Sequence, residues 1–122
     1  MKLIQSKNIV QVKLKGGEEI HIKPLTIADK QAIIQAGEVE MSKAAIECLQ
    51  RSIKDLRGFM IDEETPYVPS RDANGMIDME CIEILNNNLG HVLPDLVSAL
   101  MGSSLGHDLA SKGYEYKVTS GN

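Results

Sequence analysis

The chain has 122 residues, 43% of them hydrophobic and 25% charged, with a formal net charge of −4. That balance describes one ordinary globular domain and excludes a disordered or low-complexity chain, which has too little apolar surface to repay ordering. The charge is unevenly divided, +3 over residues 1–58 and −7 over residues 59–122, and the aromatics are Phe59, Tyr67, Tyr114 and Tyr116, so the basic face and stacking platform of a nucleic-acid binder are missing.

The first residues, "MKLIQSKNIVQV", hold no continuous apolar core and no cleavage signature, so no signal peptide is predicted. No apolar run reaches the length needed to span a bilayer. From Ile9 the pattern alternates. Val10, Val12 and Leu14 share one face against Gln11, Lys13 and Lys15; beyond Gly16-Gly17, Ile20 and Ile22 resume it against Glu19, His21 and Lys23. Two period-2 runs around Gly-Gly predict a β-hairpin over about 9–23. A lone hairpin is marginal in water, so its apolar face needs a cover.

Pro24 ends the second strand because it cannot donate to a ladder. Thr26 is a good N-cap with Asp29 three residues on, a capping-box arrangement that also suits the helix dipole. The predicted helix runs over about 27–36 and stops at Gly37. A second helix is predicted over about 42–60, where Ile46, Leu49, Ile53, Leu56 and Met60 recur at steps of three and four. "IDEETPYVPSRDANG" holds two prolines, an Asn-Gly and clustered charges, and predicts a flexible loop over 62–75, pinned by Tyr67 and Val68. A third helix is expected over about 77–89, with Gly90 as its C-terminal cap, and a fourth over about 93–101 with Pro94 in its first turn. In the tail, 103–122, Leu105 and Leu109 suit a short helical turn, and "YEYKVT" alternates as a third strand beside the hairpin would. The last residues are expected to fray. The fold class is therefore α+β: an N-terminal antiparallel hairpin packed on a small bundle of three to four helices.

Motifs for chemistry are sparse. Placing Gly75 at the sixth position of a calcium loop puts Asp72, Asn74 and Asp78 at positions three, five and nine. The ends fail, since Ser70 and Cys81 stand where an acid and a bidentate glutamate are needed. His21, His91 and His107 form no HxH or HxxxH pattern. Cys48 and Cys81 lack metal or redox spacing and read as small buried hydrophobes, in keeping with a reducing cytoplasm. "GSSLGH" reads as a helix end, "KGG" as a hairpin turn, and Asp62-Glu63-Glu64 as a solvated loop. There is no GxSxG, Walker loop or GxGxxG. No catalytic residue, metal ligand or cofactor is expected.

Apolar surface remains. The third and fourth helices supply Ile82, Leu85, Leu89, Leu93, Leu96, Val97, Leu100 and Met101. One reading makes them ordinary core. The other leaves Leu85, Leu89, Leu93, Leu96, Val97, Leu100 and Met101 as a partner-binding groove, centred on Leu93, Leu96 and Leu100 and rimmed by acids, with methionines lending adaptability.

The stretch "VQVKLKGGEEIHIKPLTIADKQAII" resembles the start of tail assembly chaperones of contractile-tailed, Mu-like bacteriophages, in which a charged hairpin leads through a proline, a threonine and an aspartate into the first helix. Pro24, Thr26 and Asp29 match that pattern. "DMECIEILNNNLGHVLPDLVSALMG" resembles the family's second half in helical layout, and the acidic loop at 62–75 is a departure. The resemblance implies a non-enzymatic protein in the cytoplasm of the infected or lysogenic host. It would bind the phage tape measure protein or another tail protein, keep it soluble and release it as the tube polymerises. The alternatives are a small structural virion protein (neck, tail-terminator or baseplate component) and a regulatory protein of a mobile element.

Overall fold

The computed structural model describes residues 3–120. Strand β1 (Ile9–Lys13) and strand β2 (Glu19–Ile22) form the expected hairpin. Leu14 N–H donates to the Glu18 carbonyl at 2.8 Å, and Gly17 N–H to the Leu14 carbonyl at 3.0 Å. The turn is thus a three-residue loop, Lys15-Gly16-Gly17, with Gly17 at φ +92°, where a side chain would be strained. Val10, Val12, Leu14, Ile20 and Ile22 are all buried on one face.

Helix α1 (Ile27–Val39) opens with both halves of the capping box: Asp29 N–H donates to Thr26 Oγ1 at 3.1 Å, and Thr26 N–H to Asp29 Oδ2 at 3.0 Å. It does not stop at Gly37. A Cβ there would lie 3.1 Å from that of Ala44, so this glycine serves a close helix crossing rather than a helix end. Glu40 alone, in extended conformation, links α1 to helix α2 (Met41–Ser52).

The expected helix over 42–60 is the largest correction. The helix ends at Ser52, and strand β3 (Ile53–Arg57) pairs antiparallel with β2. Ile20 faces Leu56 and His21 faces Asp55, but Ile22 faces Ile53, so one extra residue bulges on β3. The bulge puts Ile53 and Leu56, three apart, both on the buried face. A three-residue spacing that reads as a helix is here a bulged strand.

The segment expected as a flexible loop is bonded into two small hairpins. In the first, Tyr67 N–H donates to the Phe59 carbonyl and Ile61 N–H to the Thr65 carbonyl, both at 2.8 Å, while Asp62 Oδ1 accepts the N–H groups of Glu64 and Thr65. In the second, Asp72 N–H donates to the Met76 carbonyl and Asp78 N–H to the Ser70 carbonyl. Tyr67 does pack on the core, but Val68 is 77% exposed.

Helix α3 (Met79–Leu89) starts two residues later than expected, with Asp78 as N-cap accepting Cys81 N–H at 3.1 Å. Gly90 is right-handed, not a left-handed cap, and the chain turns almost directly into helix α4 (Val92–Met101). Helix α5 (Leu105–Ser111) and strand β4 (Glu115–Thr119) occupy the tail, and β4 pairs with β1 as expected. The expected fraying at Gly121 and Asn122 lies outside the described residues.

The sheet order is β3-β2-β1-β4, antiparallel throughout. One face, Val10, Val12, Ile20, Ile22, Ile53 and Leu56, is buried in a single core with Leu96, Ala99, Leu100 and Leu109. On the other face the register aligns Glu115, Lys13, Glu19 and Arg57, a row of alternating charge. Among the described residues, no helix is long and apolar enough to cross a membrane.

Candidate functional site

Three helices each present one stripe to a shared groove, α2 and α3 with the spacing i, i+3, i+4, i+7 and α4 with i, i+1, i+4, i+5. Ser42, Ala45, Ile46 and Leu49 line it from α2, Met79, Ile82, Glu83 and Asn86 from α3, and Leu93, Pro94, Val97 and Ser98 from α4. Residues three and four apart lie on one face of a helix, and each wall is such a face. The groove encloses about 650 Å³. Its apolar lining is Ile46, Leu49, Ile82, Leu93 and Val97, buried or half-buried; Glu83, Asn86 and Met79 (44% exposed) stand exposed on the rim.

A second groove of about 740 Å³ lies on the other side of α3. There Ile84, Leu85 and Leu89 face Phe59, Met60, Ile61 and Tyr67 of the first small hairpin, and Glu18 and Glu80 flank it. Met60 is 50% and Ile61 67% exposed.

The seven residues expected to form one partner-binding face are thereby separated. Leu85 and Leu89 belong to the second groove and Leu93 and Val97 to the first. Leu96, with no exposed surface, and Leu100 are buried in the core cluster that also holds the buried face of the sheet, and Met101 is partly buried against it. The expected centre on Leu93, Leu96 and Leu100 is therefore corrected. The sheet's apolar face needs a cover, and α4 provides it with Leu96, Ala99 and Leu100. Sequence reasoning omitted Ala45, Ile46 and Leu49 from the site. Their signal was present in the apolar stripe of α2, but only the packing of α2 beside α3 and α4 turns that stripe into a groove wall.

The side chains of the calcium-like stretch are engaged by their own backbone. Asp72 Oδ1 accepts the N–H groups of Asn74 (2.8 Å) and Met76 (3.1 Å), and Asp78 Oδ1 accepts the Ser70 hydroxyl at 2.6 Å besides capping α3. The Ser70 hydroxyl, first among its partners, holds Asp78 below the usual carboxylate range. These oxygens organise a turn and a helix start. His21 Nε2 lies 2.8 Å from Glu19 Oε1 on the polar face of the sheet, and His91 and His107 stand exposed on other elements. Among the described residues, no three His, Cys, Asp or Glu side chains are grouped to hold a metal.

Both cysteines are buried and free. Burial pushes the Cys48 thiol up to about 12 and raises that of Cys81, which makes them poor nucleophiles. Asp29 is shared between helices: it caps α1 and accepts Arg51 Nη1 at 2.9 Å, while Arg51 Nε reaches Glu47 at 2.8 Å. Burial opposes its charge, but the Thr26 amide, the Arg51 guanidinium and the Thr26 hydroxyl outweigh burial and lower its pKa. This network ties α1 to α2 and positions the α2 wall of the groove.

Compared with known family models, curated proteins and solved structures, the chain finds no match.

Proposed function

We propose that this protein is a tail assembly chaperone of the contractile-tailed, Mu-like phage type, acting by binding rather than catalysis in the cytoplasm of the bacterial host. Its partner is an apolar helical segment of the tape measure protein, or of another tail protein. The observation that carries the reading is the groove between α2, α3 and α4. Three apolar stripes at helical spacing, with Glu83 and Asn86 on the rim, suit a helix laid in with its apolar side down. The resemblance of residues 1–36 to the family adds the choice of partner. Many modest apolar contacts make such binding reversible, as release during tube growth requires.

Co-expression tests the proposal. A tape measure protein of a contractile-tailed, Mu-like phage is expressed with the unaltered protein or with Val97→Asp, which sets a carboxylate in the groove wall. The expected result is a soluble partner with the former and an aggregated one with the latter, while the variant itself stays folded. A partner that stays equally soluble with Val97→Asp removes this groove from the proposal. A partner that gains no solubility from the unaltered protein removes the chaperone reading.

A second reading, a small structural virion protein, is favoured by the outer edge of β4, which no described strand pairs, since an unpaired edge is a ready template for joining another chain. Purified virions separate the two. A chaperone is absent from them, and a structural subunit is present in fixed copy number.

A further inference from the structure

The two edges of the sheet differ. At the β3 edge, Arg71 reaches over from the second small hairpin, and its Nη2 donates to the Lys54 carbonyl at 2.6 Å. At the β4 edge, no described strand pairs outside, and Glu115, Tyr116, Lys117 and Val118 are all exposed.

The ladder dictates which groups that edge offers. Leu14 N–H bonds Glu18 across the hairpin, and Lys23 N–H donates to the Ser52 carbonyl at 2.7 Å on the β3 side. In an antiparallel sheet, alternate residues turn their peptide groups to opposite neighbours. Val10, Val12 and Leu14 therefore address β2, and Ile9, Gln11 and Lys13 address β4. Their partners Thr119, Lys117 and Glu115 point back at β1. Tyr116 and Val118 consequently turn their N–H and C=O groups outward.

We propose that this edge pairs with the same edge of a second copy of the chain, antiparallel about a two-fold axis at Tyr116, to join two sheets into one. Charge sets the register. With the axis at Tyr116, the two Tyr116 residues exchange both peptide hydrogen bonds. Glu115 then stands opposite Lys117 of the second copy, and Lys117 opposite its Glu115. These are non-hydrogen-bonded positions, where facing side chains come closest. Val118 N–H faces the carbonyl of the second copy's Tyr114, whose own N–H is engaged by Leu109 within its chain. An axis at Lys117 would set two lysines face to face. An axis at Val118 would set Lys117 against Thr119 and leave Glu115 unpaired within the strand. One register gathers two opposite-charge pairs and its neighbours gather none. Tyr116 and Val118, 37% and 39% exposed on the core side of β4, continue the apolar face across the joint. A single strand pair buries less than the ~800 Å² per partner of a standard interface, so the association is concentration-dependent. The contact is isologous and closes as a dimer.

Sedimentation of the purified full chain over rising concentration, with hydrogen exchange read residue by residue, tests this. The expected result is a monomer–dimer equilibrium in which the Tyr116 and Val118 amides gain protection as dimer forms. Lys117→Glu should weaken the dimer about tenfold or more, because both charge pairs become repulsive, without shifting the thermal melt. The double exchange Glu115→Lys with Lys117→Glu should restore it. A protein that stays monomeric to millimolar concentration overturns the proposal. So does a dimer in which the Tyr116 and Val118 amides exchange as fast as in the monomer, a reading that needs no variant to fold.

Discussion

Leu96 and Val97 are neighbours in sequence and nearly equal in chemistry, yet they belong to different parts of this protein. Leu96 has no exposed surface and seals the sheet, while Val97 is partly buried and forms part of the wall of the α2/α3/α4 groove. A helix turns 100° per residue, so one apolar segment serves two masters, the chain's own core and a surface that others can reach. Apolar density in a sequence does not tell them apart. A helix packed on a sheet shows its second apolar stripe to whatever lies beside it, and here that is a groove between helices.

The contrast is broken most directly by placing the same charge on each residue. Leu96→Asp sets an unpaired carboxylate in the core and is expected to cost about 4 kcal/mol or more, enough to abolish the cooperative thermal melt. Val97→Asp is expected to cost about 1 kcal/mol, as changes at partly exposed sites do, and to act on partner solubility instead. Equal melts for the two variants would erase the distinction.

The groove's α2 wall is held by the Asp29–Arg51 pair, which sharpens the comparison from a distance. Thr26→Ala removes one half of the capping box and is expected to cost about 1 kcal/mol in chemical denaturation. Asp29→Asn keeps the shape but loses the charge. The folded pKa of Asp29 lies below its ordinary value of 3.8. Its contribution is therefore fully present above the unfolded value and is lost as pH falls through the folded one. The unaltered protein should lose stability through that acid window, and Asp29→Asn should show a shallower loss there in pH-dependent melts.

The second groove offers the smallest effect. The Tyr67 hydroxyl is buried near Cys81 and Ser70 but makes no hydrogen bond of full geometry among the described residues, and burial, ahead of the Cys81 contact, pushes its pKa up to about 12. Tyr67→Phe removes a buried polar atom without a cavity, so thermal melting should change by less than about 1 kcal/mol, in the stabilising direction. A clear loss of stability would mean that the hydroxyl has a partner.

Local signals were legible wherever the deciding interaction lies within a few residues. The alternation of Val10 through Ile22 specifies a hairpin because a half-buried strand repeats every two residues, and Gly17 supplies the positive φ its turn needs. Thr26 and Asp29 specify a helix start because both hydrogen bonds of the capping box close within one turn. Tyr116 and Val118 in "YEYKVT" carry the same strand signal in the tail. What the tertiary structure alone decided is long-range. Ile53 and Leu56 became a strand because β2 had an unsatisfied edge next to them, and a bulge reconciled their three-residue spacing with a sheet. Leu93, Leu96 and Val97 were parted because the buried face of the hairpin needed a cover and α4 was the most apolar helix at hand. Backbone hydrogen bonds to a distant edge and burial against a distant face leave no periodicity of their own in the residues that make them, so neither can be read before the chain has folded.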